Sequence, residues 1–128
     1  MIVVTVVGIL GIVALPSYRQ YSLRAQRTDA KQALLRLAAN QERFYLENRR
    51  YGGDGDFAAL GFAAPMKSEH GAYVITIASA DDTLDYTATA AVTSGGRFDQ
   101  TSDADCQSFT IDATGARRAL PDPQRRCW

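Results

Sequence analysis

The chain has 128 residues, 14 basic and 14 acidic side chains, one His and two Cys, with a formal net charge of zero. That length allows one domain plus an extension. A single His and no CxxC pair leave too few soft ligands for a zinc site, and the zero balance hides an asymmetry: about +5 over residues 1–50 and about −5 over 51–128.

Residues 1–18 carry no charge, and 1–15 are apolar except for Thr5, Gly8 and Gly11. Uncharged runs of this kind are candidates for crossing a bilayer. Val and Ile interspersed with small Gly and Ala also permit close contact between helices. Ile2, Val3, Val6, Ile9, Leu10 and Val13 are the candidate packing residues. Pro16 removes one helical hydrogen bond and crowds the carbonyl four residues earlier, while Gly8 and Gly11 weaken the helix upstream. A break or kink is therefore expected between Gly8 and Pro16. No basic segment precedes the apolar run and no small-x-small cleavage site follows it, so it reads as part of the working protein and not as a cleaved signal. The abrupt apolar start leads us to expect further residues upstream of Met1.

From Ser22 to Asn48 the spacing predicts a helix, continuous with the first. Ala30, Ala33, Leu34, Leu37, Ala38, Gln41, Phe44 and Tyr45 form its inward stripe. Tyr51-Gly52-Gly53-Asp54-Gly55 is a strong stop, so the helix is expected to end near Arg50. The expected division is a hydrophobic helix at 1–24 and a head at 25–128. The head comprises an amphipathic helix (25–50), a connection (51–71) and a sheet region (72–128).

Strands are expected at 73–77, 85–92 and 107–112, with a short edge strand at 116–119. The breaks at Asp81-Asp82 and Ser94-Gly95-Gly96 suit antiparallel turns. One long helix followed by strands predicts an α+β head with the helix packed across an antiparallel sheet. Cys106 and Cys127 fall in loop-like surroundings. A disulfide between them would contribute about 3 kcal/mol by restricting the unfolded chain, and with a membrane-type N-terminus it would imply an oxidising compartment. Two free thiols are the alternative.

The residues from Met1 to Tyr18, with Pro16 as a helix-breaking Pro and Gly8 upstream of it, resemble the N-terminal helix of type IV pilins. Arg27-Thr28-Asp29-Ala30-Lys31, Gln41-Glu42-Arg43-Phe44-Tyr45-Leu46, and the ending Cys106, Phe109 to Arg117, Cys127-Trp128 resemble PilE-like minor pilins. The resemblance implies six mature residues before Met1, an N-methylated Phe first and a Glu fifth, so that the Glu would fall two residues before Met1. It also implies self-association of N-terminal helices into a filament core with the heads outside. The implied partners are other pilins, inner-membrane lipid before assembly, and the pilus assembly machinery. The implied location is the bacterial inner membrane, single-pass with a periplasmic head, and then an extracellular pilus serving twitching motility, adhesion or DNA uptake.

No catalytic arrangement is evident and no cofactor is implied. His70 is a lone loop His without a partner for acid–base work, and no Ser sits in a GxSxG context. Asp99, Asp103 and Asp105, or Asp54 and Asp56, form a weak calcium pattern, although Asp is common in turns. Arg117, Arg118, Arg125 and Arg126 are candidate contacts for DNA phosphates, with Trp128 or Tyr86 available to stack on a base. A DNA-receptor pilin and a secretion-system pseudopilin are the alternatives to a pilus subunit.

Overall fold

In the computed structural model the described residues are 2–79, 81, 83–94 and 100–128, with the side chains of 13–16 outside the description. Helix α1 runs over Ile2–Asn48. It is rich in good helix formers and, after Pro16, has no Gly or Pro to interrupt it. At 1.5 Å per residue its 47 residues span roughly 70 Å.

Between Gly8 and Pro16 the backbone stays helical. The expected break is thus not an interruption of helical backbone in the isolated chain. One Pro withdraws a single N–H from the ladder, and intact turns on both sides can carry that loss. The Pro16 and Val13 side chains lie outside the described residues.

Beyond the helix, a 3₁₀ turn at Asp54–Asp56 opens the connection. Four strands follow: β1 (Tyr73–Ala78), β2 (Thr87–Val92), β3 (Ser108–Asp112) and β4 (Arg117–Leu120). They form one antiparallel meander in the order β1-β2-β3-β4. The side-chain period of two sends Tyr73, Ile75 and Ile77 of β1, Ala88 and Ala90 of β2, Phe109 and Ile111 of β3 and Ala119 of β4 into the core. Small Ala on the central strands lets α1 approach the sheet, and its inward stripe, Ala30, Ala33, Leu34, Leu37, Gln41 and Phe44, covers them.

Two local devices hold the connection to the helix. The buried Gln41 amide donates to the Gly52 carbonyl (2.6 Å) and accepts from the Gly52 N–H (2.7 Å), which satisfies both polar ends of a fully buried side chain. A Cβ at Gly52 would meet the Leu60 and Asp56 side chains at 3.0 and 3.1 Å, so any larger residue would push those side chains back by a few tenths of an ångström. At the β3–β4 turn, Asp112 Oδ1 accepts from the Thr114 and Ala116 N–H groups while Gly115 takes φ +80°. These bonds hold the Asp112 carboxyl below the usual carboxylate range, the Thr114 hydroxyl contributing most.

The meander has two ends. Tyr73, Val92, Ser108 and Leu120 are cross-strand partners at one, and Ala78, Thr87, Asp112 and Arg117 lie towards the other. Arg27 of α1 pairs with Asp103, close to the first end, whereas Asp54, beyond the helix C-terminus, accepts from the Ile77 N–H near the second. The apolar stem therefore leaves from the first end, the base, and the β1–β2 turn marks the apex.

Candidate functional site

Two surfaces on this frame can do work. One is the stem. Ile2, Val3, Val6, Ile9 and Leu10 are each about half or more exposed, with Ile2 at 81%. The helix is long and apolar enough to cross a bilayer, and none of its apolar window is buried within the chain. Among the described helical side chains the first buried one is Gln26. So large an exposed apolar surface marks a binding face for lipid or protein.

The other is the base of the head. A disulfide joins Cys106 to Cys127, both buried, across 21 residues. It brings the C-terminal segment under the sheet, where Trp128 meets Phe109 edge-on (5.7 Å between centroids) and donates from Nε1 to the Arg118 carbonyl (2.5 Å). Phe109 in turn packs edge-on to Tyr73. Beside this segment is a cleft of about 660 Å³ between α1 and the disulfide loop. Arg24, Arg27, Lys31 and Arg126 line it, with Asp103, Asp105 and Asp122.

Asp103 organises the cleft floor. Its buried carboxylate accepts both arms of Arg27 at 2.6 Å and the Gln100 amide at 2.9 Å. This bidentate pairing holds the Arg27 guanidinium above its ordinary value. Gln100 also donates to the Tyr73 hydroxyl (3.1 Å), which itself donates to the Cys106 carbonyl (3.0 Å). Burial pushes the Tyr73 phenol up to about 12. One network thus ties the stem, β1 and the disulfide loop together. Gln26, buried nearby on the helix stripe, has neither amide atom hydrogen-bonded.

The four arginines singled out in the sequence do not form one patch. Arg117 and Arg118 point to opposite faces of β4, Arg117 over the Trp128 ring (5.6 Å). Arg126 lines the cleft, and Arg125 lies in the following turn with φ +52°. Tyr86 is buried against Tyr51 and cannot stack on a ligand, whereas Trp128 is partly exposed. His70 is not solitary either: its Nδ1 is 2.5 Å from the Asp29 carboxylate, clasping the loop before β1 to the stem.

Three of the acidic residues considered for calcium are held by protein partners, and Asp105 lines the base cleft. Asp54 caps Ile77 N–H, Asp56 pairs with Arg50, and Asp103 with Arg27. Asp99 lies outside the described residues. Sequence reading missed the joint role of Arg24, Arg27 and Lys31. The available signal was a stem carrying Arg19, Arg24, Arg27 and Lys31 against the single carboxylate of Asp29.

Comparison with known proteins bears on all of this. A family model described as type IV minor pilin ComP, DNA uptake sequence receptor, matches residues 16–118. The type IV major pilin protein PilA of Myxococcus xanthus (strain DK1622) is 32% identical over 124 residues, 96% of this chain and 51% of that protein. The chain thus spans about half the length of that relative. A high-resolution structure of a type IV pilin from Shewanella oneidensis has the same fold, with a TM-score of 0.55 at 22% identity over 83% of this chain and 97% of that one.

Proposed function

Because this chain belongs to the type IV minor pilin ComP family, we propose that it works as a minor subunit of a type IV pilus, without enzymatic activity. The observation that carries the reading is the bare apolar half of α1, which leaves the head with nothing covering it. Residues 1–24 serve as membrane anchor and then as filament core, and 25–128 as the head. Ile2, Val3, Val6, Ile9, Leu10 and Val13 pack against neighbouring helices in the fibre. Lipid surrounds them first and other subunits' helices replace it, so assembly exposes no apolar surface to water. The interval from Gly8 to Pro16 is where the helix yields to fit the filament. The head faces the periplasm before assembly and the exterior afterwards, and partners include other pilins and the assembly machinery.

A quantitative immunoblot of sheared filaments tests this. A trace signal, with piliation reduced in a deletion strain, is expected. A dominant signal would make the chain the main building block. Absence from filaments, with confinement to the membrane, would replace the reading by a secretion pseudopilin.

A second reading, a receptor for DNA, is favoured by the description of the matching family and by the exposed side chains of Arg118 and Arg125. Double charge reversal, Arg118→Glu with Arg125→Glu, should then abolish transformation while piliation persists. In vitro, each lost phosphate contact should flatten the salt dependence of DNA binding by about one unit of log–log slope. Unchanged binding and slope would reject this surface.

A further inference from the structure

The base cleft lies where the stem leaves the head, and its lining carries charges of both signs. Gln20, Leu23, Arg24, Arg27, Thr28 and Lys31 recur every three or four residues and so share one face of α1, the face turned to the disulfide loop. Arg27 is engaged by Asp103. Arg24, Lys31 and Arg126 remain, and among the described residues none of the three sits in an ion pair. Beside them stand the carboxylates of Asp105 and Asp122, the latter accepting from the Arg126 backbone N–H. Leu23, Ala104 and Pro123 add an apolar wall. At about 660 Å³ the cleft is of ligand-binding size. Two aromatic side chains mark its level along the stem. Tyr18 and Tyr21 are 64% and 73% exposed directly after the uncharged run, and Tyr at the end of an apolar helix favours headgroup depth. Gln20, the lining residue nearest the apolar end, falls between them, and Arg24 follows Tyr21 by about 5 Å. Side chains on a helix lean towards its N-terminus, so Arg24 and Lys31 are directed back to the same layer.

We propose that this cleft holds the headgroup of one phospholipid before assembly, a headgroup with both a phosphate diester and a primary ammonium, as in phosphatidylethanolamine. The phosphate meets Arg24, Lys31 and Arg126. The ammonium donates to Asp105 and Asp122, and the glycerol end lies against Leu23 and Pro123. A purely anionic headgroup would set its charge against the two carboxylates, and a quaternary ammonium has no N–H to give them. Bilayer lipid is the occupant because the helix that lines the cleft continues, with its backbone unbroken, into the exposed apolar run. The proposal rests on the reading of residues 1–24 as a membrane anchor. It adds a site, complete within one chain, that pins the head to the membrane surface until the subunit leaves for the fibre.

The test reconstitutes the full chain in phosphatidylcholine vesicles containing a trace of acyl-spin-labelled phosphatidylethanolamine, phosphatidylcholine or phosphatidylglycerol. Electron paramagnetic resonance reads the share of label that the protein immobilises. The ethanolamine lipid should associate about tenfold more strongly than the choline lipid, the worth of one charge-assisted hydrogen bond, and more strongly than the glycerol lipid. Arg24→Glu with Arg126→Glu should abolish the preference. Asp105→Asn with Asp122→Asn, which keeps an acceptor for the Arg126 N–H, should bring the ethanolamine lipid down to the choline level. If charge reversal unfolds the head by near-UV circular dichroism, the Asn pair decides. Arg19→Gln lies outside the cleft and should change nothing. Equal association of all three lipids with the embedded wild-type chain, a preference that survives the cleft variants, or one lost on Arg19→Gln alone overturns the site and leaves the anchor reading standing. Displacement of the lipid by millimolar inorganic phosphate or by a short DNA duplex would assign the cleft to that anion and overturn the lipid. A chain that fails to float with the vesicles overturns both readings.

Discussion

Asp103 is the residue whose loss should be felt most widely. Its carboxylate is almost fully buried and accepts from Arg27 twice, from Gln100, and more loosely from the Asp105 and Cys106 N–H groups. Asp103→Ala would leave the Arg27 charge without its partner and the Gln100 amide with one bond fewer. Breaking a buried ion pair from one side costs about 3–5 kcal/mol. The Arg27 side chain is 20% exposed and can recover some hydration, which brings the expected loss to about 2–4 kcal/mol. For a head of about 100 residues this corresponds to a fall in Tm of roughly 10–20 °C.

Thermal unfolding of the detergent-solubilised chain, followed by near-UV circular dichroism, would measure it. Arg27→Met combined with Asp103→Leu should regain most of the loss, since an apolar pair of similar size leaves no stranded charge. A Tm within 2–3 °C of wild type for Asp103→Ala, about 0.5 kcal/mol or less, would refute the reasoning, because the pair would then be open to water. A double variant no better than the single would refute it differently, by showing that the missing carboxylate and not the stranded guanidinium is what matters.

Other expectations follow from the same core. Replacing both cysteines, Cys106→Ser with Cys127→Ser, should destabilise the head by about 3 kcal/mol, given a loop of 21 residues; urea midpoints with and without reductant would check this, and identical midpoints would contradict it. Gln26→Leu should raise stability by about 1–3 kcal/mol, because it removes two buried amide atoms that have no partner; a lower Tm would count against that assignment. Tyr73 is held protonated by burial, so its contribution is intact below the unfolded phenol value near 10 and is lost as pH rises towards about 12. Stability should therefore fall over that interval, and Tyr73→Phe should flatten the fall; an unchanged slope would argue against the burial.

Much of this architecture was legible in the residues. The stripe from Ala30 to Phe44 and the alternation within β1 and β3 are periodic, and periodicity is what local sequence records best. Strand β2 begins at Thr87 and not at residue 85, because Asp85 is drawn into the turn by Ser79 and Asp81. The helix stops at Asn48, slightly before Arg50, where Arg49 takes φ +57°. What could not be read was pairing across distance. Arg27 finds Asp103 across 76 positions and Asp29 meets His70 across 41. Neither pair has a local signature, since both depend on where the helix crosses the sheet. The four C-terminal arginines look like a cluster in sequence, yet a strand alternates its side chains and a turn redirects the chain, so neighbours in order become strangers in space.

The simple meander has a consequence for the timing of biogenesis. Each strand pairs with the one made just before it, so the sheet can grow in step with synthesis, with little loop-closure entropy to overcome. The covalent lock works on another clock. Cys106 is in place ahead of β3, but its partner arrives only after β4. The bond can therefore close only after β4 has been made, so oxidation comes last and seals a sheet whose strands are already present.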